Sequence, residues 1–116
     1  MTDIVALRTA DIEWPEPAAF APERVLSGNP VTSTVVVEDA SGHQLGLWRV
    51  EPGEFTTDHV GYIEYIHILS GTGRLVDDAG TVTELGPEVT VLMPSGWKGR
   101  WVVDDTIVKV YTIIHP

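Results

Sequence analysis

The sequence predicts a single all-β domain, a sandwich or barrel, and three observations carry that expectation. From Thr32 onward the chain breaks into about eight short runs rich in β-branched and aromatic residues. Turn residues separate those runs at the close intervals of an antiparallel sandwich or barrel. No stretch of this region sustains a 3.6-residue apolar period. A length of 116 residues suits one domain with one core.

Residues 1–30 differ from the rest. Pro15, Pro17, Pro22 and Pro30 forbid a long helix, and Ala18 to Ala21 offers one short turn at most. This segment reads as an extended arm whose Ile12, Trp14, Phe20 and Val25 should lie on the barrel or on a neighbouring subunit. Residues 31–116 form the domain proper. Thr32 to Glu38 is the first run, and Ser41-Gly42 turns the chain. Gln44 to Glu51 ends at Pro52-Gly53. Tyr62 to Ser70 is the most aromatic strand, broken by Gly71-Thr72-Gly73. Gly73 to Val76 and Thr81 to Leu85 flank Asp77-Asp78-Ala79-Gly80 as a hairpin. Thr90 to Met93 runs into Pro94-Ser95-Gly96. Gly99 to Val103 and Thr106 to His115 flank Asp104-Asp105, read as a second hairpin.

The last strand is apolar on both faces: Ile107, Lys109, Tyr111 and Ile113 alternate with Val108, Val110 and Ile114. Such a strand must be covered on both sides. One cover is the barrel interior, and the other implies the arm or, in a homodimer, a second subunit.

Composition narrows the partners. Seventeen acidic residues against seven basic ones give a net charge of −10. That charge repels phosphate backbones and anionic lipids, so no nucleic acid and no membrane partner is expected. There are no cysteines, which excludes disulfides and thiolate metal sites. The opening residues lack a basic start and an unbroken apolar core, and no run nears the ~20 apolar residues of a membrane helix. A cytoplasmic location is the expectation.

Three stretches carry a family resemblance. The first holds Trp48, Pro52, Gly53, Phe55, Thr57 and His59 and leads to Glu64 and Gly71. The second runs from Gly86-Pro87 to Pro94-Ser95-Gly96, Gly99 and Trp101. The third is Lys109-Val110-Tyr111. Their order resembles the two motifs of the cupin superfamily, and within it the subfamily related to ureidoglycine aminohydrolase and the ethanolamine-utilisation cupins. The resemblance implies a double-stranded β-helix, or jelly-roll barrel, preceded by the extended arm. Function varies widely on this fold, so the fold licenses no activity by itself.

Cupins that hold a metal usually offer two histidines, a glutamate and a third histidine. Carried over by position, the resemblance gives His59 and Glu64 as metal ligands, while the other two positions fall on Thr57 and Gly99. A transition metal needs about three protein ligands. The cofactor therefore stays open, with the balance toward a metal-free site. His59 reads equally as a loop histidine near the barrel mouth, and His67 as a packed histidine on the outer face. His43 reads as a solvated turn residue and His115 as part of a fraying terminus.

What remains is a pocket. Trp48, Glu64, Trp101, Lys109 and Tyr111 should share one interior, with Thr57 and His59 nearby and Gly99 leaving space where a histidine ring would stand. Glu64, Lys109 and Tyr111 are the candidate catalytic groups, with Glu64 as base or acceptor and Lys109 as donor or anion contact. Trp48, Thr57, His59 and Trp101 are the candidate ligand contacts. Trp97 and Lys98 read as the rim, and Arg100 should face outward. The same Glu–Lys–Tyr set reads equally as structural stitching. Two functions follow: a cupin acting on a small polar ureido or amino metabolite, or a non-catalytic, metal-free binding or accessory module. Ureidoglycine aminohydrolase chemistry needs a metal, which the missing ligand positions disfavour.

Overall fold

The computed structural model describes residues 3–116. Nine strands follow in order: β1 (Ala18–Ala19), β2 (Val25–Gly28), β3 (Val31–Ala40), β4 (His43–Val50), β5 (Gly53–Asp58), β6 (Ile63–Asp77), β7 (Val82–Leu85), β8 (Thr90–Met93) and β9 (Lys98–Ile114). Two single-turn 3-10 helices, Thr9–Asp11 and Pro22–Arg24, are the only helical elements among the described residues. No helix among them is long and apolar enough to cross a membrane.

The frame is a pair of long antiparallel strands. β6 and β9 pair from Ile63 opposite Ile114 to Asp77 opposite Gly99, with register shifts between Ile68 and Gly73. Those shifts bend the ribbon into two halves. Residues 107–114 of β9 also pair with β4, and residues 98–103 pair with β5. β3 and then β1 extend the first half beyond β4, and β2 extends the second beyond β5. β8 and β7 flank the two halves of β6. The folded-over sheet encloses Phe55, Ile66, Ile68, Met93, Trp101 and Ile107, and this is a jelly roll.

Two expected breaks are absent. Gly71-Thr72-Gly73 does not end a strand, and Asp104-Asp105 is not a hairpin turn. Both lie where the ribbon bends. Gly71 has φ +92°, and a Cβ there would stand 2.1 Å from the Thr106 carbonyl oxygen, so only glycine lets the two backbones meet. The acidic pair faces outward: Thr72 Oγ1 donates to Asp105 and Arg74 Nη1 to Asp104, at 2.8 and 3.1 Å. The first hairpin forms, with Asp77 Oδ1 accepting from the backbone N–H groups of Ala79 and Thr81. β5 lay hidden in the sequence because polar Glu54, Thr56, Thr57 and Asp58 obscure its alternation.

The second part of the arm lies on the barrel. Ala18–Ala19, read as a turn, is instead a strand on the edge of β3, and the turn sits at Pro22–Arg24. Pro22 supplies the fixed φ that a helical first position accepts. β2 then pairs with β5, Val25 opposite Phe55. Earlier, Ser33 Oγ donates to the Pro15 carbonyl at 2.9 Å.

Candidate functional site

β9 organises the interior. Alternation sends Ile107, Lys109 and Tyr111 inward from its second half and Trp101 from its first. Register sets their neighbours: Lys109 lies opposite Trp48 of β4, and Trp101 opposite Phe55 of β5. Glu64 comes in from the start of β6. Lys109, Tyr111, Trp101, Trp48, Phe55 and Glu64 wall a cavity of about 260 Å³, with Thr34, Gln44, Thr57 and Ile113 completing the barrel side. That volume lies just below the usual range for drug-sized ligands and suits a small metabolite.

At its wall sits a buried ion pair. Lys109 Nζ donates to Glu64 Oε2 at 2.7 Å, and both residues are buried. The same ammonium stands 4.2 Å from the Trp48 ring centre and 4.7 Å from that of Trp101. Ring faces attract a desolvated cation. Burial pushes the Lys109 amine below its ordinary pKa, while the charge of Glu64 and the hydrogen bond to it pull the other way. Behind the rings, Phe55 stacks on Trp101 with 9° between their planes.

His59 lies in the loop between β5 and β6 and is buried there. It is 1% exposed, one residue past β5. Its N–H donates to Trp97 O at 2.9 Å and its carbonyl accepts from Gly96 N at 2.8 Å, so the Pro94–Gly96 corner pins it. The ring lies between Tyr62 and Trp97, with Nε2 3.5 Å from Glu64 Oε1 and Nδ1 without a hydrogen-bond partner among the described residues. Burial lowers its pKa, against the opposing charge of Glu64. His59 thus backs Glu64 from outside the cavity walls rather than lining them.

Tyr111 reaches across to Gln44, its hydroxyl donating to Oε1 at 2.8 Å. Burial raises its pKa, with Glu64 and Asp39 adding to the effect. Trp97 packs on His59 rather than standing free at a rim, and Lys98 is exposed. Arg100 faces out and pairs with Glu54. His67 bonds Thr90 on the outer face. His43 is paired with Glu38, not simply solvated, and the His115 N–H bonds Gly42 O, so that terminus is tied down.

The residues do not fit a divalent metal. The cation beside the Glu64 carboxylate is the Lys109 ammonium. Gly99 does not open space either: a Cβ there would meet Val76 O at 2.3 Å, so the position is packed against β6. Among the described residues no three His, Cys, Asp or Glu side chains group as metal ligands.

The arm supplies two walls that sequence reasoning missed. Phe20 stacks on Phe55 at 4.1 Å between centroids. Arg24 lies over Phe20 and donates from Nε and Nη2 to the Thr56 carbonyl. The sequence marked the arm as apolar but held no local signal for which barrel end it covers.

Comparison with known proteins agrees with this architecture. The family model for the EutQ-like cupin domain matches residues 37–111. Among solved structures, the chain is similar to the EutQ protein of Clostridium difficile, with TM-score 0.66 and 18% identity over 74% of this chain and 64% of that one. It thus spans less than two thirds of that relative. It is also similar to the Cnp3 cupin domain of Schizosaccharomyces pombe, with TM-score 0.72 and 11% identity over 98% and 76% of the two chains. The polyketide cyclase RemF of Streptomyces resistomycificus gives TM-score 0.69 and 17% identity, over 98% and 81%. No curated protein sequence matches this chain. With most of its barrel inside the matched region and the two-halved jelly roll around Glu64, this chain belongs to the EutQ-like cupin family.

Proposed function

We propose that this cupin binds a small polar metabolite in its barrel without a metal ion. The observation that carries the reading is the Lys109–Glu64 pair at the cavity wall, 2.7 Å apart, with two indole rings around the ammonium. A metal-binding cupin needs its glutamate free for the ion. Here the carboxylate holds an internal cation, which then points a hydrogen-bond donor at the cavity. Trp48 and Trp101 exclude water from one side of a bound molecule, and Thr57, Tyr111 and Gln44 supply polar contacts. Small ureido and amino compounds are the class the subfamily resemblance implies.

The test is a thermal-shift panel of such compounds on chelator-treated protein. The expected result is a ligand-dependent rise in Tm that added zinc, manganese or nickel does not change. A rise that appears only on adding metal overturns the reading.

We also propose a homodimer. The outer face of β6, β8 and β9 presents Tyr65, Leu92 and Val110, all exposed, and Tyr65 lies directly opposite Leu92. A self-complementary apolar sheet face suits a second copy.

A further inference from the structure

We infer that the ligand of this cavity carries a carboxylate, bound between Arg24 and the floor of the barrel. The inference rests on the proposed metal-free pocket and names its ligand class.

The carrying observation is an imbalance of charge and donors. The whole chain has a net charge of −10. The cavity reverses that sign: its walls hold two cations, Arg24 and Lys109, and one carboxylate, Glu64. That carboxylate is already engaged, with Oε2 on Lys109 and Oε1 facing His59. Arg24 has no carboxylate partner among the described residues. Its Nε and Nη2 both donate to the Thr56 carbonyl, a neutral acceptor. A guanidinium has five N–H donors, so several remain for a ligand. Gln44 spends its side-chain oxygen on the Tyr111 hydroxyl and keeps its amide donors.

The cavity is therefore rich in donors, and its one anionic acceptor is already engaged, which leaves neutral hydroxyl oxygens as the remaining side-chain acceptors. A cationic ligand would find its only counter-charge occupied. A neutral one would leave the guanidinium without an anion in a site walled by five aromatic side chains. A carboxylate satisfies Arg24 through charge-assisted bonds, and the remainder of a flat molecule lies against Trp48 and Phe55. The arm holds Arg24 in place: Phe20 stacks on Phe55 and the guanidinium covers Phe20 at 4.8 Å.

The experiment uses three probes with one ring and different charge: benzoate, benzamide and benzylamine. Each is titrated into the full chain while the indole N–H signals of Trp48 and Trp101 are followed by NMR. Benzoate is expected to bind about tenfold more tightly than benzamide, and benzylamine more weakly than either. Arg24→Gln is expected to bring benzoate down to the level of benzamide and leave benzamide unchanged. Equal or tighter binding of benzamide or benzylamine overturns the carboxylate assignment while the pocket reading stands. An unchanged benzoate affinity in Arg24→Gln overturns it too. If no probe moves either indole signal, both the assignment and the pocket reading fall.

Discussion

Lys109 of β9 and Glu64 of β6 are 45 residues apart in the chain and 2.7 Å apart in the barrel. Their contact is an ion pair sealed under indole rings, and the consequences of cutting it are specific. Removing one partner strands the other charge in a dry site, at a cost of about 3 kcal/mol or more. Lys109→Met should therefore lose that much stability in urea denaturation. The double variant Lys109→Met/Glu64→Gln, which removes both charges, should recover a large part of it. Equal losses in the single and double variants would mean the charges are not coupled.

Acid should act through His59. Its pKa lies below the ordinary 6.5 in the folded protein, chiefly because it is buried; the charges of Glu64 and Asp58 oppose that shift, and the Lys109 ammonium adds to it. The unfolded chain therefore takes up this proton first. The stabilisation is complete above about pH 6.5 and is lost as pH falls below it. Tm measured between pH 8 and 4.5 should fall more steeply below pH 6.5 for the native chain than for His59→Gln. Parallel curves would remove His59 from the acid response.

Restoring histidines at the family's other ligand positions should not create a metal site. In Thr57→His/Gly99→His, the new Cβ at 99 runs into the Val76 carbonyl. We expect a loss of about 2 kcal/mol or more from overpacking, and no zinc or nickel binding by calorimetry. Tight, stoichiometric metal binding by this variant would show that β6 and β9 can part there.

The arm should act as a wall of the pocket. Phe20→Ala removes the ring stacked on Phe55 and should destabilise the fold by about 2 kcal/mol. It should also raise the acrylamide quenching of tryptophan fluorescence, since Trp48 and Trp101 lie next to Phe55. Unchanged quenching would mean the arm does not shield the cavity.

Oligomeric state checks the outer face. Sedimentation at micromolar concentration should give a dimer, and Tyr65→Glu with Leu92→Glu should give a monomer with near-native circular dichroism. A monomer from the unmodified chain removes the dimer.

Alternation and turn chemistry were enough to read an all-β barrel and to decide which residues of each strand share a face. That Lys109 and Tyr111 share one face and Val110 takes the other, and that Glu64 and Tyr65 point to opposite faces, follow from a two-residue period, which is a local property; that the Glu64 face looks inward came from the family resemblance. Cross-strand register is not local. That Lys109 lies opposite Trp48, that Gly99 is pressed against Val76, and that the corner at Gly96 buries His59 depend on strands distant in the chain. The arm is the clearest case: its prolines and aromatic residues marked it as extended and apolar, but only packing could bring Phe20 and Arg24 over one end of the barrel.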